Sequence, residues 1–185
     1  ASLADLHLMK DNYKGAKRYS EQAIQLNPND EQAWLILGHA LKKLDESIDA
    51  KKAIANAVKI NHSYVPALFM LGKLEVEDNE FDNAITHLER AMSLNPLNPD
   101  IQAALGLAYA STGYLDKAEE VLVNATSIHE THFDALIALK LVMDAKGETQ
   151  AAKKIDEKLM TIGKNVIGSV FDQIREQTDE EADSQ

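Results

Sequence analysis

The sequence predicts an all-α solenoid of antiparallel helix pairs, on three observations. Gly38, Gly72 and Gly106 recur at a spacing of 34 residues. Carried one step each way, the phase marks five positions: Ala4, Gly38, Gly72, Gly106 and Lys140. Each is preceded by Leu (Leu3, Leu37, Leu71, Leu105, Leu139) and followed twelve residues later by Ala (Ala16, Ala50, Ala84, Ala118, Ala152). Finally, the 185 residues hold only 4 Pro and 8 Gly, and Val and Ile do not alternate with polar residues as strands require.

Within each unit the first helix is expected from seven residues before the mark to six after it. The second helix is expected to begin near ten after. A Gly or Ala at the mark removes bulk, so the second helix can approach closely. The recurrent Ala does the same from the other side, and Leu, Trp34 and Tyr109 fill the space between. Asn27-Pro28-Asn29-Asp30 and Asn95-Pro96-Leu97-Asn98-Pro99-Asp100 read as turns between units. The first unit lacks the start of its first helix, since Ala1 lies three residues before the mark, and further sequence is expected upstream. The fifth unit is degenerate, with Lys140 at the mark and Asp156 in an apolar slot, which suits an end exposed to water. Glu75 and Gln102 stand in places where the other units favour large apolar residues.

The array is expected to cover residues 1–164. From Asn165 to Arg175, Val166, Ile167, Val170, Phe171 and Ile174 recur at helical spacing. Two readings stand: an amphipathic capping helix on the last repeat, or a detachable helix that docks in a groove. Residues 176–185 carry five acids and no base, and are expected to form a disordered tail.

Trp34-Leu35-Ile36-Leu37-Gly38-His39-Ala40-Leu41 resembles the opening of a tetratricopeptide (TPR) repeat, W-x2-L-G-x2-Y, with Leu41 in the Tyr place. Ala50-x3-Ile54 resembles its A-x3-F, Leu105-Gly106-x2-Tyr109 keeps the Tyr, and Ala118-x3-Leu122 follows. The resemblance runs from Ala1 to about Lys164 without an insertion. It implies a right-handed superhelical solenoid of about five repeats plus a C-terminal helix. It also implies that partner peptides or helices bind the concave face lined by the first helices.

Composition narrows the function. Thirty acids against 19 bases give a net charge of −11, which repels nucleic-acid phosphates and anionic membrane surfaces. No apolar run is long enough to cross a bilayer, so a soluble protein without membrane insertion is expected. With no Cys, disulfides, thiolate metal sites and Cys nucleophiles are excluded, while cytoplasm and periplasm both remain open. No phosphate loop, G-x-S-x-G or H-E-x-x-H occurs. His129 and His132 form the one metal-like cluster and read as two exposed turn histidines, and His7 reads as a packing residue. Neither an enzyme nor a cofactor is expected.

Repeat phase assigns the groove. Three residues before the mark stand Leu35, Phe69, Ala103 and Ile137. One after stand Asp5, His39, Lys73, Leu107 and Leu141, and four or five after stand Leu8, Met9, Lys42, Lys43, Val76 and Glu77. Leu35, His39, Lys42, Phe69, Lys73 and Leu107 are the expected partner contacts, Phe69 foremost. Lys42, Lys43 and Lys73, beside His39, form a positive spot suited to an acidic side chain or chain-end carboxylate. The family's carboxylate clamp for heat-shock chaperone tails needs Asn one residue after the mark in two successive repeats. None stands there, so that use is excluded. The leading reading is a non-enzymatic scaffold or adaptor that binds a protein or peptide partner. Its alternatives are a self-assembling homo-oligomer and the accessory module of a longer protein.

Overall fold

A computed structural model describes residues 2–165 of the chain. The expected 165–175 helix (past Asn165) and the 176–185 tail lie outside the described residues. Ten helical segments follow one another among those residues: α1 (Leu3–Met9), α2 (Tyr13–Leu26), α3 (Glu31–Lys43), α4 (Ser47–Ile60), α5 (Val65–Glu77), α6 (Phe81–Leu94), α7 (Pro99–Ser111), α8 (Leu115–Ile128), α9 (Phe133–Lys146) and α10 over 149–165. They form five pairs, and each pair stacks on the next in an all-α solenoid. The first helices match the expected span to within a residue. The second helices start one residue earlier than expected, and Pro99 and Asp100 belong to the first turn of α7 rather than to the preceding turn.

The periodic residues hold this geometry. All five Ala residues twelve after the mark are buried, at 0–3 % exposure. A Cβ built on Gly38 would lie 2.3 Å from Ile54 Cγ1. One on Gly72 would lie 2.5 Å from Leu88 Cγ, and one on Gly106 2.4 Å from Leu122 Cγ. Each of these large residues stands sixteen after its mark and is fully buried. The first and fifth repeats solve the same contact differently. Ala4 has the small Ser20 sixteen residues on, whose hydroxyl donates to the Ala16 carbonyl at 2.8 Å. Lys140 has Asp156, an ion pair at 3.6 Å.

The turn inside each repeat needs one residue in the left-handed region, always seven after the mark: Asp11, Asp45, Asn79, Gly113 and Gly147, with φ from 54° to 83°. Only Asp, Asn and Gly tolerate that conformation readily. The turn between repeats leaves a carbonyl facing the next helix pair, and three different side chains satisfy it. Trp34 Nε1 donates to the Pro28 carbonyl at 2.9 Å, and Gln102, one full period pair later, donates to the Pro96 carbonyl at 2.8 Å. Leu68 cannot donate, and Arg90 Nε reaches the His62 carbonyl at 2.8 Å instead.

Glu75, in a slot where other units favour large apolar residues, is a buried carboxylate. It is 4 % exposed on α5 and meets His87 Nδ1 of α6 at 2.8 Å. That bond raises the imidazole pKa against the opposing effect of burial. A histidine partner makes the buried carboxylate tolerable where an unpaired one would not be. Between repeats, Lys17 of α2 pairs with Glu46 at 2.7 Å, and Lys51 of α4 pairs with both Asp78 and Glu80 at 2.7 Å. At the last junction the polarity reverses: Lys146 bridges Asp116 and Glu119 of the preceding repeat.

The Gly72–Leu88 contact yields a direct test. Helix propensity alone has Gly72→Ala stabilise α5 by about 1 kcal/mol. Overpacking against Leu88 reverses the sign, with a net cost of about 1–3 kcal/mol in urea unfolding. Adding Leu88→Ala should give a double variant more stable than the sum of the two single effects predicts.

Candidate functional site

The first helices α3, α5, α7 and α9 line the concave face, and two adjoining chambers open along it. One, of about 570 Å³, lies between α3 and α5 and is lined by Leu35, His39, Lys42, Lys43, Phe69 and Lys73, among others. The other, of about 290 Å³, lies across α5, α7 and α9 and is lined by Phe69, Lys73, Val76, Leu107, Ile137 and Leu141 with three carboxylates, Glu77, Asp100 and Asp134. All six expected contact residues therefore face this groove. Phe69, Lys73 and Glu77 belong to both chambers and join them.

The first chamber exists because α3 and α5 stand apart. The pairs α1–α3, α5–α7 and α7–α9 pack against one another, whereas α3 and α5 do not reach comparable contact. Lys42 and Glu77, at the C-terminal ends of the two helices, close the gap with an ion pair. The expected positive spot is therefore smaller than the sequence suggested. Lys42 is engaged by Glu77. Burial first, and Lys43 second, hold the His39 imidazole below its ordinary pKa, so it is neutral near pH 7. Among the described residues, Lys43 and Lys73 have no carboxylate partner, and Lys73 Nζ sits 5.5 Å from the centre of the Phe69 ring.

The apolar residues divide into two sets. Leu35, Phe69, Val76 and Leu107 are half-buried and pack partly on the core beneath the groove. Ile137 and Leu141, at 39 % and 51 % exposure, project freely from α9. Two positions of the repeat escaped the sequence reading, those six and two residues before the mark. They place Pro66, Met70, Asp100, Ala104, Asp134 and Ala138 in the groove wall. The signal was present in the same phase, because −6 lies one turn before −3 and −2 lies one turn before +1, so each shares a groove-facing direction.

His132 is not the free turn histidine expected. Its Nδ1 accepts from the Ala135 amide at 3.1 Å as the cap of α9, and its Nε2 lies 2.9 Å from Asp100. Nδ1 as acceptor fixes the proton on Nε2, which donates to the carboxylate. Both ring nitrogens are thus in use. Among the described residues, no group of three or more His, Asp or Glu side chains converges as a metal site. His7 stacks on Tyr19 at 4.8 Å between ring centres, in keeping with a packing role. None of the described helices is long and apolar enough to cross a membrane.

Comparison with known proteins decides the family. Tetratricopeptide repeat models match residues 1–30, 31–64 and 99–132, and a TPR repeat model matches 72–113. The chain belongs to the tetratricopeptide repeat family. BBSome complex member BBS4 of Bos taurus is 28 % identical over 140 residues, covering 76 % of this chain and 27 % of the relative. Anaphase-promoting complex subunit 3 of Schizosaccharomyces pombe is 26 % identical over 128 residues, covering 69 % and 19 %. The chain thus spans about a quarter or less of the length of these curated relatives. A crystal structure of MamA superposes with a TM-score of 0.79 at 26 % identity, covering 91 % of this chain and 98 % of that one. TPR arrays of this kind are protein–protein interaction modules.

His39 supplies a test of the groove's electrostatics. Its folded pKa lies below the unfolded value, so the stability it contributes is full above about pH 6.5 and is lost as pH falls through and below that value. His39→Gln should therefore lose less stability than the parent protein between about pH 7 and about pH 5. Its imidazole resonance should titrate below the ordinary value, and Lys43→Ala should move it part of the way back. Identical pH profiles for parent and variant would contradict the assignment.

Proposed function

We propose that this chain is a non-enzymatic adaptor whose concave groove holds an extended or helical segment of a partner protein. The observation that carries the reading is the convergence of Leu35, His39, Lys42, Phe69, Lys73 and Leu107, from three successive repeats, on one continuous concave surface. A surface with half-buried apolar residues at its floor and charges at its rim is the anatomy of a protein interface. Two relatives carry names that make them members of multiprotein complexes, which supports the same role here.

Phe69 is the expected anchor, because it bridges both chambers and its ring is held between two parts of the core. Lys73, above the ring, adds charge selectivity at little structural cost, since its ammonium is exposed.

Affinity capture with the full chain, identified by mass spectrometry, tests the reading against the double variant Phe69→Ala/Lys73→Glu. Lys73→Glu alone controls for packing lost under Phe69, and circular dichroism confirms that each variant is folded. Partners captured by the parent should be lost with the double variant and weakened by Lys73→Glu. Capture unchanged in a folded double variant would move the binding face away from the groove.

A further inference from the structure

We infer that the groove takes a charge-polarised segment, acidic where it meets α3 and basic where it meets α7 and α9, with apolar side chains between. The inference rests on the groove being the binding face and adds the chemistry and direction of its occupant.

The two ends of the groove carry opposite charge. At the α3 end stand Lys42, Lys43 and Lys73, with Asp45 and Glu77 as the carboxylates of that chamber and Glu77 already held by Lys42. His39 is neutral there, so the end is net positive. At the other end, with Glu77 held by Lys42, Asp100 and Asp134 stand against the shared Lys73, so that end is net negative. His132 does not cancel Asp100, because its Nδ1 accepts from a backbone amide and the ring is therefore uncharged.

The charges are also placed where the scaffold tolerates them without a ligand. Lys42 and Lys43 lie in the last turn of α3, and Asp100 and Asp134 lie in the first turns of α7 and α9. Helix dipoles favour each of these signs at each of these ends. The polarised axis thus runs diagonally, from the C-terminal end of α3 to the N-terminal ends of α7 and α9. It crosses the apolar floor at Phe69 and Leu107 and meets the exposed Ile137 and Leu141. In a protein whose net charge is −11, an isolated basic chamber gives a bound segment one favoured orientation.

Length follows from the packing. Packed helices lie about 8–10 Å apart, and α3 and α5 stand farther apart than that, so the path from α3 to α9 spans at least roughly 24–30 Å before the diagonal along the helices is added. An extended segment needs at least about seven to nine residues to cover it. The expected occupant therefore carries its acidic and basic groups at least about seven to nine residues apart, flanking apolar side chains.

Selection from a random 15-residue peptide display library on the immobilised full chain tests this. Parallel selections use Lys43→Glu/Lys73→Glu, Asp134→Lys, and the groove variant Phe69→Ala/Lys73→Glu. Peptides enriched on the parent should carry acids at one end and bases at the other. Lys43→Glu/Lys73→Glu should abolish the acidic enrichment and leave the basic one, and Asp134→Lys should do the reverse. For the best peptide, a version with the same composition and intermixed charges should bind about tenfold more weakly at low salt, with the difference shrinking as salt rises. Enriched peptides with apolar residues but no charge segregation would overturn the polarity and leave the groove reading intact. Failure to enrich any peptide over the groove variant would overturn both.

Discussion

The close approach of the two helices in each repeat is the constraint on which the rest of the structure depends. At its tightest point there is room for one large side chain and nothing opposite. Three repeats fill it from the second helix, with Ile54, Leu88 or Leu122 against glycine. The first repeat uses two small residues, Ala4 and Ser20, and the fifth replaces the apolar contact with Lys140 and Asp156. An ion pair serves in the fifth repeat because water reaches it, the Lys140 and Asp156 side chains being 29 % and 50 % exposed. In the middle, desolvation of both charges would oppose it. Since the marked residue turns inward, the side chains one after and three before it are directed to the concave face, and the groove is a geometric consequence of the packing.

That link explains how much was legible in the sequence. The glycine phase and the Ala twelve after it are forced by close contact, and the Leu before the mark is buried in four of the five repeats, so their period survives in the letters. Leu35, His39, Phe69, Lys73 and Leu107 could be placed from the same phase alone. What escaped was chemistry that different residues can supply equally well. Gln102 looked like a polar misfit in an apolar slot, yet its amide makes the hydrogen bond that the Trp34 indole makes two repeats earlier. Glu75 looked equally misplaced until His87, twelve residues away on the next helix, came to face it. The left-handed turn residue changes from Asp to Asn to Gly along the chain, because all three satisfy the same backbone angle. The Lys42–Glu77 pair joins two repeats, and a pattern read within one repeat does not contain it.

The groove carries the mark of one looser junction. Where α3 and α5 stand apart, the chamber is the larger of the two and holds the histidine and lysines. Where α5, α7 and α9 pack closely, the chamber is smaller and rimmed by carboxylates. Uneven spacing of otherwise equivalent helices thus converts a repetitive scaffold into an asymmetric surface. The asymmetry lies in residues that the fold does not need for packing. It can therefore specify a partner without disturbing the contacts that hold the repeats together.

Partner binding on the concave face of α3, α5 and α7 would leave its mark in hydrogen exchange of the full chain, measured with and without a captured partner. Exchange should slow in α3, α5 and α7, strongest around Phe69 and Lys73, with α4, α6 and α8 little changed. Slowing confined to the second helices, or to α10, would contradict it.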